Sequence, residues 1–271
     1  KATEIKTIGD NEYHYTCGYF TDNKWIDNDT LIIERSENPS IACDDWEGKA
    51  DAELLKLSLK DGSMEFICRD KIFGYNYLVY DNKIYYSDRK DIKVVDIASK
   101  KTETLYKNDY FRDSDFMAII GLSLTNDGKY LCTYVAGKEA PTKVVVMERE
   151  TGKLEYSFMP RKFSNPFNQV THVMICPENY QLVYFCHEGT TEYVSNRMWL
   201  YDAKTGNQWN IAKQRLDEDG NLGDCFGHEM WAPDGKGMYF VKYPASSILP
   251  FGACYVDVKT GEAETRYTGY R

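Results

Sequence analysis

The residues best suited to chemistry are the chain's 4 histidines, His14, His172, His187 and His228, together with Arg197, Glu188 and Glu229. An imidazole takes a proton near neutral pH, and a guanidinium holds an anion in a planar fork. Converging on one concave site, they form a general base and an anion holder, a set suited to pulling a proton from a carbon next to a carboxylate. Each residue also has a plainer reading. A histidine beside a strand can be a satisfied core or loop residue, Arg197 can pair with Glu188 or Asp202, and Glu229 can hydrogen-bond within its own turn. Convergence must therefore come from the elements that carry them.

Those elements repeat. Thr171-His172-Val173-Met174-Ile175-Cys176-Pro177-Glu178-Asn179 and Gly227-His228-Glu229-Met230-Trp231-Ala232-Pro233-Asp234-Gly235 share one layout, each before a strand-like run. Gly121 to Lys129 is a third copy, Tyr19 to Lys24 a looser first, and Leu78 to Lys83 a shorter version. Each copy precedes a second hairpin, whose turns read Lys60-Asp61-Gly62, Ser99-Lys100-Lys101, Glu150-Thr151-Gly152, Lys204-Thr205-Gly206 and Lys259-Thr260-Gly261. Asp-Gly and Thr-Gly supply the positive φ that tight hairpins need. About five units of four strands, with no convincing helix, predict an all-β protein of the β-propeller class built from four-stranded blades. An irregular sandwich or barrel would show short strands at regular spacing, but not a hairpin-plus-hairpin unit at this period. The punctuation of WD40 repeats is missing.

Alignment on Pro177 and Pro233 places His172 and His228 at one position, at the start of the strand that lines a propeller's central channel. Antiparallel geometry returns His187, Glu188 and Arg197 to that end, and His14 falls at the same rim. The sequence thus predicts one histidine-rich end of the channel.

Composition narrows the rest. A content of 14% aromatics, with 22 Tyr, suits half-buried pleated surfaces. A net charge of -9 argues against a sequence-independent grip on nucleic acid. The 8 cysteines lack close CxxC pairs, and most of them (Cys68, Cys132, Cys176, Cys186 and Cys254) sit within or beside apolar runs, which suits free thiols in a reducing compartment. No apolar run approaches a membrane helix and residues 1–10 lack a leader's layout, so the expectation is a cytoplasmic protein without a membrane partner, or a periplasmic one if a leader was removed before Lys1. His228-Glu229 lacks the second histidine of HExxH, and neither a phosphate loop nor a GxSxG elbow occurs.

Phe185-Cys186-His187-Glu188-Gly189, Asn196-Arg197-Met198-Trp199-Leu200 and Gly227 to Gly235 resemble the oligogalacturonate lyases, as do Thr171-His172-Val173 and His14-Tyr15. The likeness runs from about residue 11 to residue 271. That family is a seven-bladed propeller that cleaves short pectin-derived oligogalacturonates by β-elimination. The resemblance implies that His228 takes the C5 proton and that Arg197 assists as acid or carboxylate partner. It implies further that His172, His187, Glu188 and His14 contact the anionic sugar. Loss of the proton builds enolate charge, which a cation must stabilise before the C4 oxygen leaves.

The family also holds a divalent cation, typically manganese (Mn2+), through histidines and a glutamine of later blades. No Gln-x-x-His-x-His segment occurs here, so no metal ligand is expected within this chain and the ligands are expected beyond Arg271. The expectation is a single propeller domain over 1–271, incomplete at its C-terminal side, with blades near 11–70, 71–110, 111–162, 163–216 and 217–271. A non-catalytic carbohydrate- or protein-binding propeller is the alternative. The propeller half of a prolyl-peptidase-like enzyme is disfavoured by the lack of a hydrolase domain.

Overall fold

A computed structural model of the chain describes residues 9, 12–18, 21–37, 51–72, 77–108, 118–136, 142–161, 169–189 and 193–268. Tyr19 and Phe20 of the first repeat, and Arg271, lie outside them. The described residues contain strands and turns and no helix, hence none long and apolar enough to cross a membrane.

The strands form five four-stranded antiparallel sheets taken in chain order. The first holds β1 (His14–Thr16), β2 (Thr30–Ser36), β3 (Ala52–Ser58) and β4 (Met64–Asp70). The second holds β5 (Tyr77–Tyr80), β6 (Lys83–Ser87), β7 (Asp91–Asp96) and β8 (Thr102–Lys107). The third holds β9 (Ala118–Leu124), β10 (Tyr130–Ala136), β11 (Lys143–Glu148) and β12 (Leu154–Phe158). The fourth holds β13 (Gln169–Cys176), β14 (Asn179–Glu188), β15 (Met198–Asp202) and β16 (Asn207–Asn210). The fifth holds β17 (Phe226–Trp231), β18 (Gly237–Lys242), β19 (Gly252–Asp257) and β20 (Ala263–Thr268). Consecutive strands are hydrogen-bonded neighbours throughout, the connectivity of a propeller blade.

The second hairpin of every sheet turns in the same way. Gly62, Lys100, Gly152, Gly206 and Gly261 have φ between 60° and 75°. Each donates its N–H to the carbonyl four residues earlier, on Ser58, Asp96, Glu148, Asp202 and Asp257, at 2.7–2.9 Å. In the second, fourth and fifth sheets that aspartate's Oδ1 also accepts a turn N–H, from Ser99, Lys204 and Thr260. The repeated turn residues therefore set the repeated backbone.

The chain divides into two compact units, residues 1–122 with 135–140, and 123–134 with 141–271. In the first, Ile32, Leu54 and Ile67 of the first sheet pack with Tyr77, Ile84, Tyr86 and Val95 of the second. In the second, Met174, Tyr184, Met198 and Leu200 of the fourth sheet pack with Phe226, Trp231, Phe240 and Val256 of the fifth. The Trp231 indole N–H reaches across to the Met174 carbonyl at 3.2 Å. The turns of the second unit are tied at one end of these strands. Asn126 donates from its backbone to the Pro177 carbonyl and from its side chain to the Pro233 carbonyl, both at 2.8 Å.

Before the fifth sheet, Asp224 is buried between Arg215 at 2.8 Å and Lys242 at 2.5 Å. Burial raises its pKa, but the Arg215 guanidinium and Lys242 ammonium outweigh burial and hold it down at about 2. A depressed carboxyl stabilises the fold above its unfolded pKa near 3.9 and loses that contribution as pH falls through about 2. Melting temperature should thus drop between about pH 4 and pH 2, by the equivalent of roughly 2 kcal/mol. The Asp224→Asn protein should lack that component; an unchanged acid slope would show that Asp224 does not supply it.

Candidate functional site

The site begins with a repeated irregularity. In the fourth sheet the pairing of β13 with β14 skips from Thr171↔Cys186 to Met174↔Tyr184. In the fifth, β17 and β18 skip from Gly227↔Val241 to Met230↔Tyr239. Each skip inserts one extra residue into the first strand, a β-bulge of the kind that re-aims side chains. His172 and His228 occupy these bulges with φ of 49° and 53°. Gly121, at the matching position of the third sheet, has φ of 64°. Left-handed backbone at a residue with a Cβ is costly and clusters at functional sites.

The residue after each of these three positive-φ positions is buried. In the third and fourth sheets it is apolar, Leu122 and Val173, and in the fifth it is Glu229, which is 0% exposed. A buried carboxylate needs partners. Glu229 Oε1 accepts from Arg197 Nε at 2.6 Å. Its Oε2 lies 3.1 Å from His172 Nδ1 and accepts from Arg197 Nη2 at 3.4 Å.

Arg197, 3% exposed, precedes β15 and fills the space between the two carboxylates. Its Nη1 donates to Glu188 Oε1 at 3.0 Å and to the His187 carbonyl at 3.4 Å. Its Nη2 also faces Glu188 Oε2 at 3.4 Å. Five guanidinium N–H groups thus meet five acceptor contacts. Thr171 Oγ1 donates to Glu188 Oε2 at 2.8 Å and lies 3.2 Å from Cys186 Sγ.

Electrostatics follow from this packing. Burial works against the Arg197 charge, but Cys186, Glu229 and Glu188 raise its pKa above the usual arginine value. It is a fixed cation and a poor proton donor. Burial likewise opposes the His172 imidazolium, yet Cys186 and Glu229 outweigh it and raise its pKa. The Glu229 carboxyl, which burial alone would raise, is held down at about 2 by His172 and Arg197.

Of the sequence-selected residues, the structure brings together Arg197, Glu188 and His172, through Glu229. Glu229 bonds outside its own turn, to a neighbouring sheet. Arg197 takes Glu188 rather than Asp202, which caps the Lys204 turn. His187 and Glu188 are the last residues of β14. The His187 ring is 1% exposed, edge-on to Phe185 and Trp199, and burial lowers its pKa to about 4. Among the bonds described, its contact with the arginine is through its backbone carbonyl. His228 is exposed, next in sequence to Glu229, with its ring 5.7 Å from that of Tyr243. Tyr243 packs so close to Gly227 that a Cβ there would meet its hydroxyl at 2.6 Å. His14 is exposed on β1 of the first unit, whereas all members of the cluster lie in the second. Thr171 and Cys186 were not legible as site residues, since their roles depend on pairing across the bulge.

His172, Cys186 and Glu229 present donor atoms within 4.8 Å of one another. This set does not suit manganese. Manganese prefers carboxylate, carbonyl and water oxygens, whereas a thiol is a soft donor. The guanidinium on both Glu229 oxygens also opposes a second cation there.

The sequence pattern of the family described as "Oligogalacturonate lyase" matches residues 163–265, which span the fourth and fifth sheets. The "Oligogalacturonide lyase" of Pectobacterium atrosepticum is 23% identical over 189 residues, 64% of this chain and 46% of the relative. The chain therefore spans about half the length of that curated relative. A solved "Oligogalacturonate lyase in complex with manganese" superposes with a TM-score of 0.71 at 17% identity, covering 93% of this chain and 65% of the other. The "Dos1 propeller" superposes with a TM-score of 0.52 at 9% identity, covering 86% of this chain and 56% of that one. The fold class is thus the all-β propeller.

Proposed function

We propose that the chain, which resembles the oligogalacturonate lyases across the segment that carries Arg197, Glu188, His228 and Glu229, acts in β-elimination of short pectin-derived oligogalacturonates. The observation that carries this reading is the buried, fully bonded Arg197 beside a bulge that exposes His228. In the proposed step the His228 imidazole takes the C5 proton of a galacturonate. The C5–H electrons form the C4=C5 double bond, the C4–O bond breaks, and the leaving oxygen takes up a proton.

His172 and His187 are poor candidates for the base. The first is held as an imidazolium and the second is buried. Arg197 acts as a fixed positive charge rather than as an acid, opposing the charge that develops on the uronate. His172 and Thr171 hold the two glutamates that hold Arg197. A divalent cation, manganese in the solved relative, belongs to this proposal and would stabilise the same developing charge. Its ligands are proposed to lie outside His172, Cys186 and Glu229. The protein is proposed to act in the cytoplasm, on an anionic sugar and not on nucleic acid or membranes.

The test is incubation of the intact protein with digalacturonate and trigalacturonate, reading ultraviolet absorbance of the unsaturated product. Absence of such product in the presence of manganese would overturn the reading in favour of a binding propeller. A second measurement addresses the cation: metal analysis of the Cys186→Ala protein should give the same manganese content as the unaltered protein. Loss of manganese on that change would place the ion at the cluster after all.

A further inference from the structure

The two carboxylates on Arg197 are not equivalent. Glu229 holds the Nε side at 2.6 Å from complete burial. Glu188 spans Nη1 and Nη2 at 3.0 and 3.4 Å, and its side chain is 31% exposed. One edge of the guanidinium is thus locked into the protein. The other is covered by a carboxylate that reaches solvent.

A planar guanidinium pairs with carboxylates through two parallel N–H···O bonds, and Glu188 already makes that arrangement with the Nη edge. Any anionic ligand that uses Arg197 meets this occupant first, because the remaining donors face Glu229 and the His187 carbonyl. We propose that the Nη edge of Arg197 is a carboxylate receptor and that Glu188 is its resident occupant, displaced when the uronate of an acidic sugar binds. The proposal deepens the lyase reading and rests on it for the ligand class.

Exchange is favoured by the geometry around Glu188. Apart from Arg197, its carboxylate accepts from Thr171 Oγ1 at 2.8 Å and from the Gly189 N–H at a long 3.3 Å, with Cys186 Sγ at 3.9 Å too long to add much. The arginine itself does not need to move, since Glu229 and the His187 carbonyl keep it in place. A sugar without a carboxylate has nothing to offer in exchange, so the receptor selects for uronates. Affinity for a uronate is then divided by the fraction of time the edge is open.

The experiment is calorimetric titration of galacturonic acid into the intact protein, with galactose as the neutral probe. Glu188→Ala should bind galacturonate about tenfold more tightly or better, by freeing the edge. Glu188→Gln, which keeps the size and the Thr171 contact, should fall between the two, and galactose affinity should change in neither. Unchanged or weaker galacturonate binding in Glu188→Ala and Glu188→Gln would overturn the proposal, making Glu188 a bystander or a direct sugar ligand. A gain caused only by loss of a negative charge is excluded by a crystal structure of Glu188→Ala with galacturonate. The sugar carboxylate should sit on Nη1 and Nη2, and any other position refutes the receptor. Turnover is read separately: galacturonate binding as described without unsaturated product sinks the lyase reading alone, and product with unaltered affinities sinks this inference alone.

Discussion

Replacing His228 with Asn is expected to lower oligogalacturonate cleavage roughly 10²- to 10⁴-fold, the range a positioned general base contributes, while leaving the fold intact. The substitution follows from the backbone. His228 sits at φ of 53°, where alanine would be strained, whereas Asn tolerates the left-handed region and cannot act as the base. The side chain is exposed, so its loss opens no cavity in the core. The expected result is a fall in kcat at near-normal KM, with a melting temperature within a few degrees of the unaltered protein. Full activity in His228→Asn would remove this residue from the mechanism and send the search for a base elsewhere.

Arg197→Met should be among the most destabilising single changes in the second unit, costing about 3–5 kcal/mol, as is usual when one partner of a buried ion pair is removed. Methionine fills much of the volume, so the penalty is not a cavity. It arises because Glu229, fully buried, is left with His172 alone. Relief has two routes. With the guanidinium gone, the Glu188 and Glu229 carboxylates face the His172 imidazolium, so protonating Glu229 brings the three to neutrality, and the variant should regain stability as pH is lowered toward 5, opposite to the behaviour expected of the unaltered site. Pairing the change with Glu229→Gln should recover part of the loss at neutral pH. Chemical denaturation of the single and double variants measures both effects, and a loss under 1 kcal/mol for Arg197→Met would show that the pair is not as sequestered as its geometry indicates.

Much of the fold was legible because its signals are local. Gly62, Gly152, Gly206 and Gly261 each announce a turn whose backbone only a residue tolerant of positive φ adopts, and Lys100 fills the same place without glycine's freedom. The equal offset of His172 and His228 from Pro177 and Pro233 marked a shared strand position, and the structure places the same bulge at both. What the sequence could not show was direction. Beyond a bulge, whether a side chain points to solvent or to a neighbouring sheet depends on one backbone dihedral. Glu229 was therefore readable as a turn residue, although it is the buried centre of the cluster. His187 looked like a rim imidazole, but the continued alternation of β14 turns it into the wall beside Trp199. Arg197 was found from its motif, while its double grip by Glu188 and Glu229 depends on two sheets meeting.

The tie at Asn126 is one of several contacts that must wait for distant parts of the chain. Its side-chain bond to the Pro233 carbonyl spans 107 residues, and the Glu229 bonds to His172 and Arg197 span 57 and 32. Closing such long loops is slow relative to forming a hairpin, because their entropy is lost before the contact is gained. During synthesis the earlier hairpins can form as they emerge, yet Arg197 remains without its buried partner until β17 has left the ribosome. The cluster is therefore completed late: Thr171, Glu188 and Arg197 can pair within the fourth sheet, but a nascent chain halted before Glu229 lacks the carboxylate that joins Arg197 to His172.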